Sequence, residues 1–273
     1  MIDILFIGEK PIGEWAFAHM IDQAGDQLRI VGAVSNSDRG AGWWGSHLVM
    51  DVAKTNGIPF FDSGDIDGDQ LSGLISDIRP NALIVVQGST IISAEALRLV
   101  DGRAFNLHLA PLPRYRGFYS ANHALLEGAT DFGATVHWIE PAVDVGGIAF
   151  EKTFAIAPDE TGQSLYAKSV RAGMAAFTSL ISALAGGEAI PCRPQSGDGR
   201  FFSRKSLVAH RRIADISDRE EVDRKARAFY FPGFPAAYFE IGDKRYEVSP
   251  ANPPATVIAL DAVSSFARQL LQK

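Results

Sequence analysis

Short apolar runs alternate with amphipathic segments over the first 110 residues. IDILFIG at 2–8 is followed by PIGEWAFAHMIDQ at 11–23, LRIVGAVS at 28–35, SHLVMDVAKTNG at 46–57, IPFF at 58–61, a helical stretch near 67–78 and ALIVVQG at 82–88. Strand-like runs separated by helix-like ones predict a parallel sheet joined by crossover helices. The runs at 2–7 and 82–86 are near-continuously apolar, as expected of central strands buried on both faces. Ligands of such a sheet collect beyond the carboxyl ends of its strands, so the turns after Ile7, Val86 and Leu107 should converge.

Further along, YSANHALLE at 119–127 reads as a helix stopped by Gly128, and ATVHWIE and IAFEKTFAI read as strands on either side of the loop PAVDVGG at 141–147. Apolar residues at 165, 170, 174, 177, 181 and 184, with Gly186 and Gly187 as a stop, predict a long helix packed on the sheet. The stretch 190–205 is polar and rich in Pro, Gly and Arg, which reads as a linker or surface loop. Beyond it lie a charged helix (DREEVDRKARAF), a Pro-aromatic patch (FYFPGFPAAYF), a hairpin-like IGDKRYEV and a further strand. The expected division is a catalytic domain over 1–189 and a small α+β domain over 206–273.

Composition narrows the class. A chain of 273 residues, 47% hydrophobic and 21% charged, has globular usage for one large domain or two. No apolar run approaches the roughly 20 residues that span a bilayer. The N-terminus lacks signal-peptide character, so a cytoplasmic location is expected. Cys192 has no partner for an internal disulfide and reads as inert. A net charge of −6 disfavours broad binding to nucleic acid, and HRR at 210–212 reads as a solvated loop. The opening turn GEKPIG has no GxGxxG and carries Pro11, which argues against a dinucleotide. Without HxxxH, HExxH, CxxC or GxSxG spacing, neither a metal site nor a serine nucleophile is expected.

The chemistry lies in FNLHLAPLPRYRG at 105–117. On a strand, Asn106 and His108 project to one face. An amide beside an imidazole can bond an oxygen that gains negative charge, and the ring can move a proton. The two prolines stiffen the turn and present Arg114 and Arg116 to anionic groups such as phosphate. The alternative reading, a capped turn with a satisfied polar pair, stands level with this on spacing alone. Asp144, in the Gly-rich loop between two strands, could orient or protonate His108 if that loop folds back. Of the other histidines, His19, His47, His123 and His137 fall within helices or strands and His210 in the basic loop; these read as packing or surface residues, with His123 near the pocket.

NLHLAPLPRYRG, followed by EGATDFGATVHWIEPAVDVGGIAFE, resembles the formyltransferase family that uses 10-formyltetrahydrofolate, whose members act on initiator methionyl-tRNA, a purine precursor or amino sugars. The similarity runs over about 1–185. The resemblance implies a Rossmann-like core with a mostly parallel sheet and a catalytic trio of Asn106, His108 and Asp144. It also implies 10-formyltetrahydrofolate as formyl donor, held by loops that map to Gln87, Gly88, Ser89 and Ile92 and to Ile139, Glu140, Pro141 and Val143. APLP replaces the family's SLLP turn, and QGST departs from commoner sequences. The implied reaction is direct transfer to a primary amine, with no metal and no covalent enzyme intermediate. A nucleotide-linked amino sugar is the expected acceptor, contacted by Arg114, Tyr115 and Arg116 and by Trp43 and Trp44 as an aromatic platform. Hydroxyornithine and methionyl-tRNA are the alternatives. The aromatic patch at 229–239 reads as a small core, with a homodimer contact or acceptor wall as alternatives.

Overall fold

The computed structural model describes residues 1–37, 48–88 and 90–254. Trp43, Trp44, Ser89 and the further strand expected after the hairpin lie outside the described residues. Strand β1 (Ile2–Gly8) enters helix α1 (Lys10–Gln23), and β2 (Leu28–Ser35) leads to α2 (Leu48–Thr55). Next come β3 (Phe60–Asp62), α3 (Gly68–Ile78), β4 (Ala82–Val86), α4 (Ala94–Leu99) and β5 (Ala104–His108). A two-residue strand, β6 (Arg116–Gly117), precedes α5 (Ser120–Leu126), β7 (Asp131–Trp138), β8 (Ile148–Ala155) and the long α6 (Gly162–Ala185). The chain closes with β9 (Phe201–Phe202), α7 (Arg219–Ala228) and the hairpin β10 (Ala237–Ile241) and β11 (Lys244–Val248).

The main sheet runs β3-β2-β1-β4-β5-β7-β8. It is parallel from β3 through β5, and β7 and β8 add antiparallel pairs at one edge. The mostly parallel sheet and small C-terminal sheet expected from the sequence are both present. Period-two alternation sends Ile4 and Phe6 of β1 into a core with α1, α2 and α6, and Leu5 and Ile7 into a second core with α3 and α4. Helix starts are set locally: Asp67 and Gln70 form a reciprocal cap on α3, as Thr161 and Ser164 do on α6, each such cap being worth about 1 kcal/mol.

A third core joins Tyr115, Leu125, Phe132 and Leu165 to Ile213, Phe229 and Ala237, so the C-terminal segment packs against the elements that follow β5. The stretch 190–205, expected as a linker or surface loop, is more tightly tied than that. Ile148 and Arg193 exchange backbone hydrogen bonds of 2.7 and 2.9 Å, and β9 pairs in parallel with β6. Its Pro and Gly content set an irregular backbone, but its amides and carbonyls still found partners on the sheet.

Candidate active site

Antiparallel pairing of β5 with β7 puts Asn106 opposite His137 and His108 opposite Thr135. Directly opposed residues share a face, and Asn106 Nδ2 lies 3.0 Å from His137 Nε2. His137 Nδ1 is 2.7 Å from the Trp138 carbonyl, which can only accept, so Nδ1 carries a proton. In the neutral ring Nε2 accepts from the Asn106 amide, and in the protonated ring it donates to Asp144 instead. His108, only 6% exposed, donates from Nε2 to the Tyr115 carbonyl at 2.6 Å and turns Nδ1 toward Asp144 Oδ2 at 3.5 Å.

Asp144 is the hub. Its Oδ2 accepts from Gly117 N at 2.8 Å, while Oδ1 lies 3.3 Å from His137 Nε2 and 3.4 Å from Asn106 Nδ2. Burial alone would raise its pKa. The His108 charge, the hydrogen bond and charge of His137 and the Gly117 N–H outweigh burial and hold the carboxyl well below its usual range.

The loop geometry explains the glycines. Asp144 has φ 54°, and Gly117 has φ 88°. A Cβ on Gly146 would stand 1.9 Å from the Trp138 carbonyl oxygen, and one on Gly117 2.3 Å from that of Phe202. Gln195 fixes the same loop from outside: Nε2 donates to the carbonyls of Asp144 at 2.9 Å and Gly146 at 2.8 Å. Its Oε1 accepts from Arg116 Nε and Nη2 at 3.2 and 2.7 Å. Thr135, fully buried, braces the 110–113 turn by donating to the Ala110 carbonyl at 2.8 Å and accepting from Leu112 N at 3.3 Å.

The structure therefore brings Asn106, His108 and Asp144 together and adds His137, which sequence had read as a packing residue in mid-strand. Gln195 and Thr135 were also missed. The signal for His137 lay in register, since pairing two predicted strands through Asn106 would have aligned it. Of the two loops expected at the donor, the first has Ile92 in the second core and the second has Ile139 packed against that core, while Val143 is exposed. Gln87 stands at φ 55° and accepts from Lys10 Nζ at 3.0 Å.

The expected acceptor contacts fare differently. Arg114 is paired with Asp131, and Arg116 spends Nε and Nη2 on Gln195. Tyr115 is 3% exposed, its ring packed between Phe132 and Phe202, and burial pushes its phenol up to about 12. In the structure Arg114 meets a carboxylate, Arg116 an amide oxygen and Tyr115 core aromatic rings. His123 stacks on Phe202 and bonds Ser206, within the packing of the C-terminal segment.

An open, mostly parallel sheet carrying an amide, two imidazoles and a strongly acidic carboxylate at its carboxyl edge is the arrangement of an α/β enzyme equipped for oxyanion and proton chemistry. Among the described residues no cluster of His, Cys, Asp or Glu is placed to hold a metal ion, and no helix is long and apolar enough to cross a membrane. Residues 4–181 match the formyl transferase family, and the chain belongs to that family of formyl-transferring enzymes. It is 26% identical to a methionyl-tRNA formyltransferase of Symbiobacterium thermophilum over 272 residues, covering 95% of this chain and 82% of the relative. A sugar N-formyltransferase from a Shewanella species shares the fold with a TM-score of 0.73 at 15% identity, covering 92% of this chain and 97% of the other. An N-formyltransferase from Helicobacter canadensis, solved with folinic acid and dTDP-3-aminofucose, gives 0.68 at 19% identity, covering 88% and 84%.

Proposed function

We propose that the protein transfers the formyl group of 10-formyltetrahydrofolate to the primary amine of a nucleotide-linked amino sugar. The observation that carries this reading is the C-terminal segment. It extends past the family match and packs through Ile213, Phe229 and Ala237 onto the same core as Tyr115 and Leu165. A fold likeness covering 97% of a sugar N-formyltransferase supports the same acceptor class. The methionyl-tRNA reading is the second, favoured by sequence similarity over 95% of this chain; the net charge of −6 counts against a nucleic-acid acceptor.

In this reading the flat ring of the donor lies near Ile92, buried in the second core, and Ile139, packed against that core. In the reaction the acceptor amine attacks the formyl carbon. The carbonyl oxygen gains negative charge and takes a hydrogen bond from the Asn106 amide, and the amine proton leaves through His108. Asp144, held strongly acidic, does not keep that proton; it remains an anion opposite the imidazolium that forms, within reach of both His108 and His137. The test is tetrahydrofolate release from 10-formyltetrahydrofolate with a panel of nucleotide-linked amino sugars, hydroxyornithine and charged initiator tRNA. Turnover with an amino sugar is expected, and turnover only with tRNA overturns the acceptor.

A further inference from the structure

Past α6, beyond the family match that ends at residue 181, the chain returns to the site as β9 and lies in parallel beside β6. Arg116 N donates to the Arg200 carbonyl and Phe118 N to the Phe202 carbonyl, each at 2.9 Å. Successive amides of an extended strand face opposite edges, so the amide between these two, Gly117 N, is turned away from β9. It donates to Asp144 Oδ2 at 2.8 Å. A trans peptide also sets its N–H and C=O on opposite sides. With Arg116 N held by β9, the Tyr115 carbonyl of the same peptide faces the other way, where it accepts from His108 Nε2 at 2.6 Å. One edge of β6 is therefore bound to β9, and its other edge holds both His108 and Asp144.

So short a ladder fixes a strand weakly by itself, and side chains decide where β9 lies. The Phe202 ring stacks on His123, with centroids 3.9 Å apart, and on Tyr115 at 6.1 Å. Arg200 reaches over the same ring at 5.3 Å and pairs with Glu127 at the end of α5. Its amide donates to the Pro113 carbonyl at 3.3 Å, which ties β9 to the turn before β6. His123 is 3% exposed and belongs to α5, so the stack joins β9 to a buried, helical partner. The approach depends on Gly117, where any Cβ would meet the Phe202 carbonyl.

We propose that Phe202 is a positioning residue for formyl transfer: its stacked ring holds β9 in place, and β9 aims the Tyr115 carbonyl at His108 and the Gly117 amide at Asp144. The segment past α6 then belongs to the catalytic geometry itself. This assignment rests on the reading of Asn106, His108 and Asp144 as the reacting trio.

The experiment has two arms on the full chain, using Phe202→Leu, Phe202→Tyr and Arg200→Met, each checked by a thermal melt and assayed well below its midpoint. In the first, NMR of isotopically labelled protein without substrates follows the Gly117 amide and the His108 Nε2 proton. Both are expected downfield in the wild type, as donors to a carboxylate and to a carbonyl. Both should move upfield in Phe202→Leu and stay in place in Phe202→Tyr, which keeps the ring. In the second, kinetics with 10-formyltetrahydrofolate and the amine that the wild type turns over should show kcat lower by roughly 10- to 100-fold in Phe202→Leu, the range for hydrogen bonds to charged groups. Donor and acceptor KM should stay within about threefold, and Phe202→Tyr should match the wild type. Arg200→Met loses a partly exposed ion pair and should fall about 2- to 5-fold with the same two resonances displaced, which keeps the test open if Phe202→Leu does not fold. Resonances unmoved in both Phe202→Leu and Arg200→Met overturn the proposal, as do moved resonances with an unchanged kcat or a loss confined to either KM. If the resonances move but His108→Ala turns over like the wild type, the trio reading has failed, and with it the catalytic role of Phe202, while the hold of β9 on His108 and Asp144 stands.

Discussion

Replacing Gln195 with alanine removes the latch on the Asp144 loop while leaving the side chains of Asn106, His108 and Asp144 in place. Two amide donations to the Asp144 and Gly146 carbonyls disappear, together with the anchor for Arg116. Neutral hydrogen bonds contribute about 0.5–1.5 kcal/mol each, so the two donations are worth about 1–3 kcal/mol. That is comparable with the roughly 1–2 kcal/mol that left-handed backbone costs a residue such as Asp144, so the loop is expected to relax. If the loss falls on the transition state, kcat drops roughly 5- to 100-fold, and a residue that acts only through the loop leaves donor and acceptor KM nearly unchanged. Relaxation also loosens the His108 and Gly117 contacts that hold the Asp144 carboxyl low. Its pKa then rises toward the ordinary value, and the acid limit of activity moves to higher pH. Gln195→Glu keeps an acceptor for Arg116 but sets a carboxylate against two carbonyl oxygens, so it should not rescue. Steady-state kinetics across pH, with a thermal melt as the folding control, make the measurement. A Gln195→Ala enzyme with kcat within twofold of wild type and an unmoved acid limb refutes the latch, as does full rescue by Gln195→Glu.

Gly117→Ala should cost about 2–5 kcal/mol from left-handed strain and overpacking against the Phe202 carbonyl, read as a lower denaturant midpoint, and should cut activity by displacing the donor to Asp144. His137→Phe removes the ring nitrogen that meets the Asn106 amide or, when protonated, Asp144; the loss of about 1–3 kcal/mol predicts a roughly 5- to 100-fold fall in kcat with substrate KM held, and unchanged kcat would return His137 to a packing role. For His123, burial, followed by the His210 and Arg200 charges, lowers the pKa to about 4 in the folded protein. The unfolded chain binds that proton more readily, so the stability contribution is full above the ordinary histidine value of 6.5 and declines as pH falls toward about 4. Urea midpoints at neutral and acid pH should therefore differ less in His123→Gln than in the wild type, and an equal drop in both would remove this group as a source of acid sensitivity.

Much of this architecture is written in hydrophobic period. The runs at 2–7 and 82–86 are apolar on both alternating sets because β1 and β4 lie between helices on each face, and no other place in a sheet needs that pattern. Asn106 and His108 were legible for the same reason: two residues apart on one strand fixes a common face before any partner strand is known. The short ladder of β6 with β9 left no comparable trace, because two residues cannot display a period. Its existence depends on glycine at 117 and on where the chain returns after α6.

What the sequence hides is pairing across distance. A histidine in the middle of ATVHWIE looks the same whether its ring meets Leu side chains or a catalytic carboxylate, and the β5–β7 register, Asn106 against His137, decides which. Charges are hidden in the same way. Arg114 and Arg116 stand out because they flank the motif, yet Asp131 and Gln195 claim them from 17 and 79 residues away. Lys10 drew notice only through a turn that failed to match a dinucleotide fingerprint. The quantity that bears on ligand binding is the charge left over after the protein has paired its own, and that remainder is a property of the folded chain. Here Asp131 and Gln195 take up the two motif arginines, so spacing along the chain alone does not show where such a remainder falls.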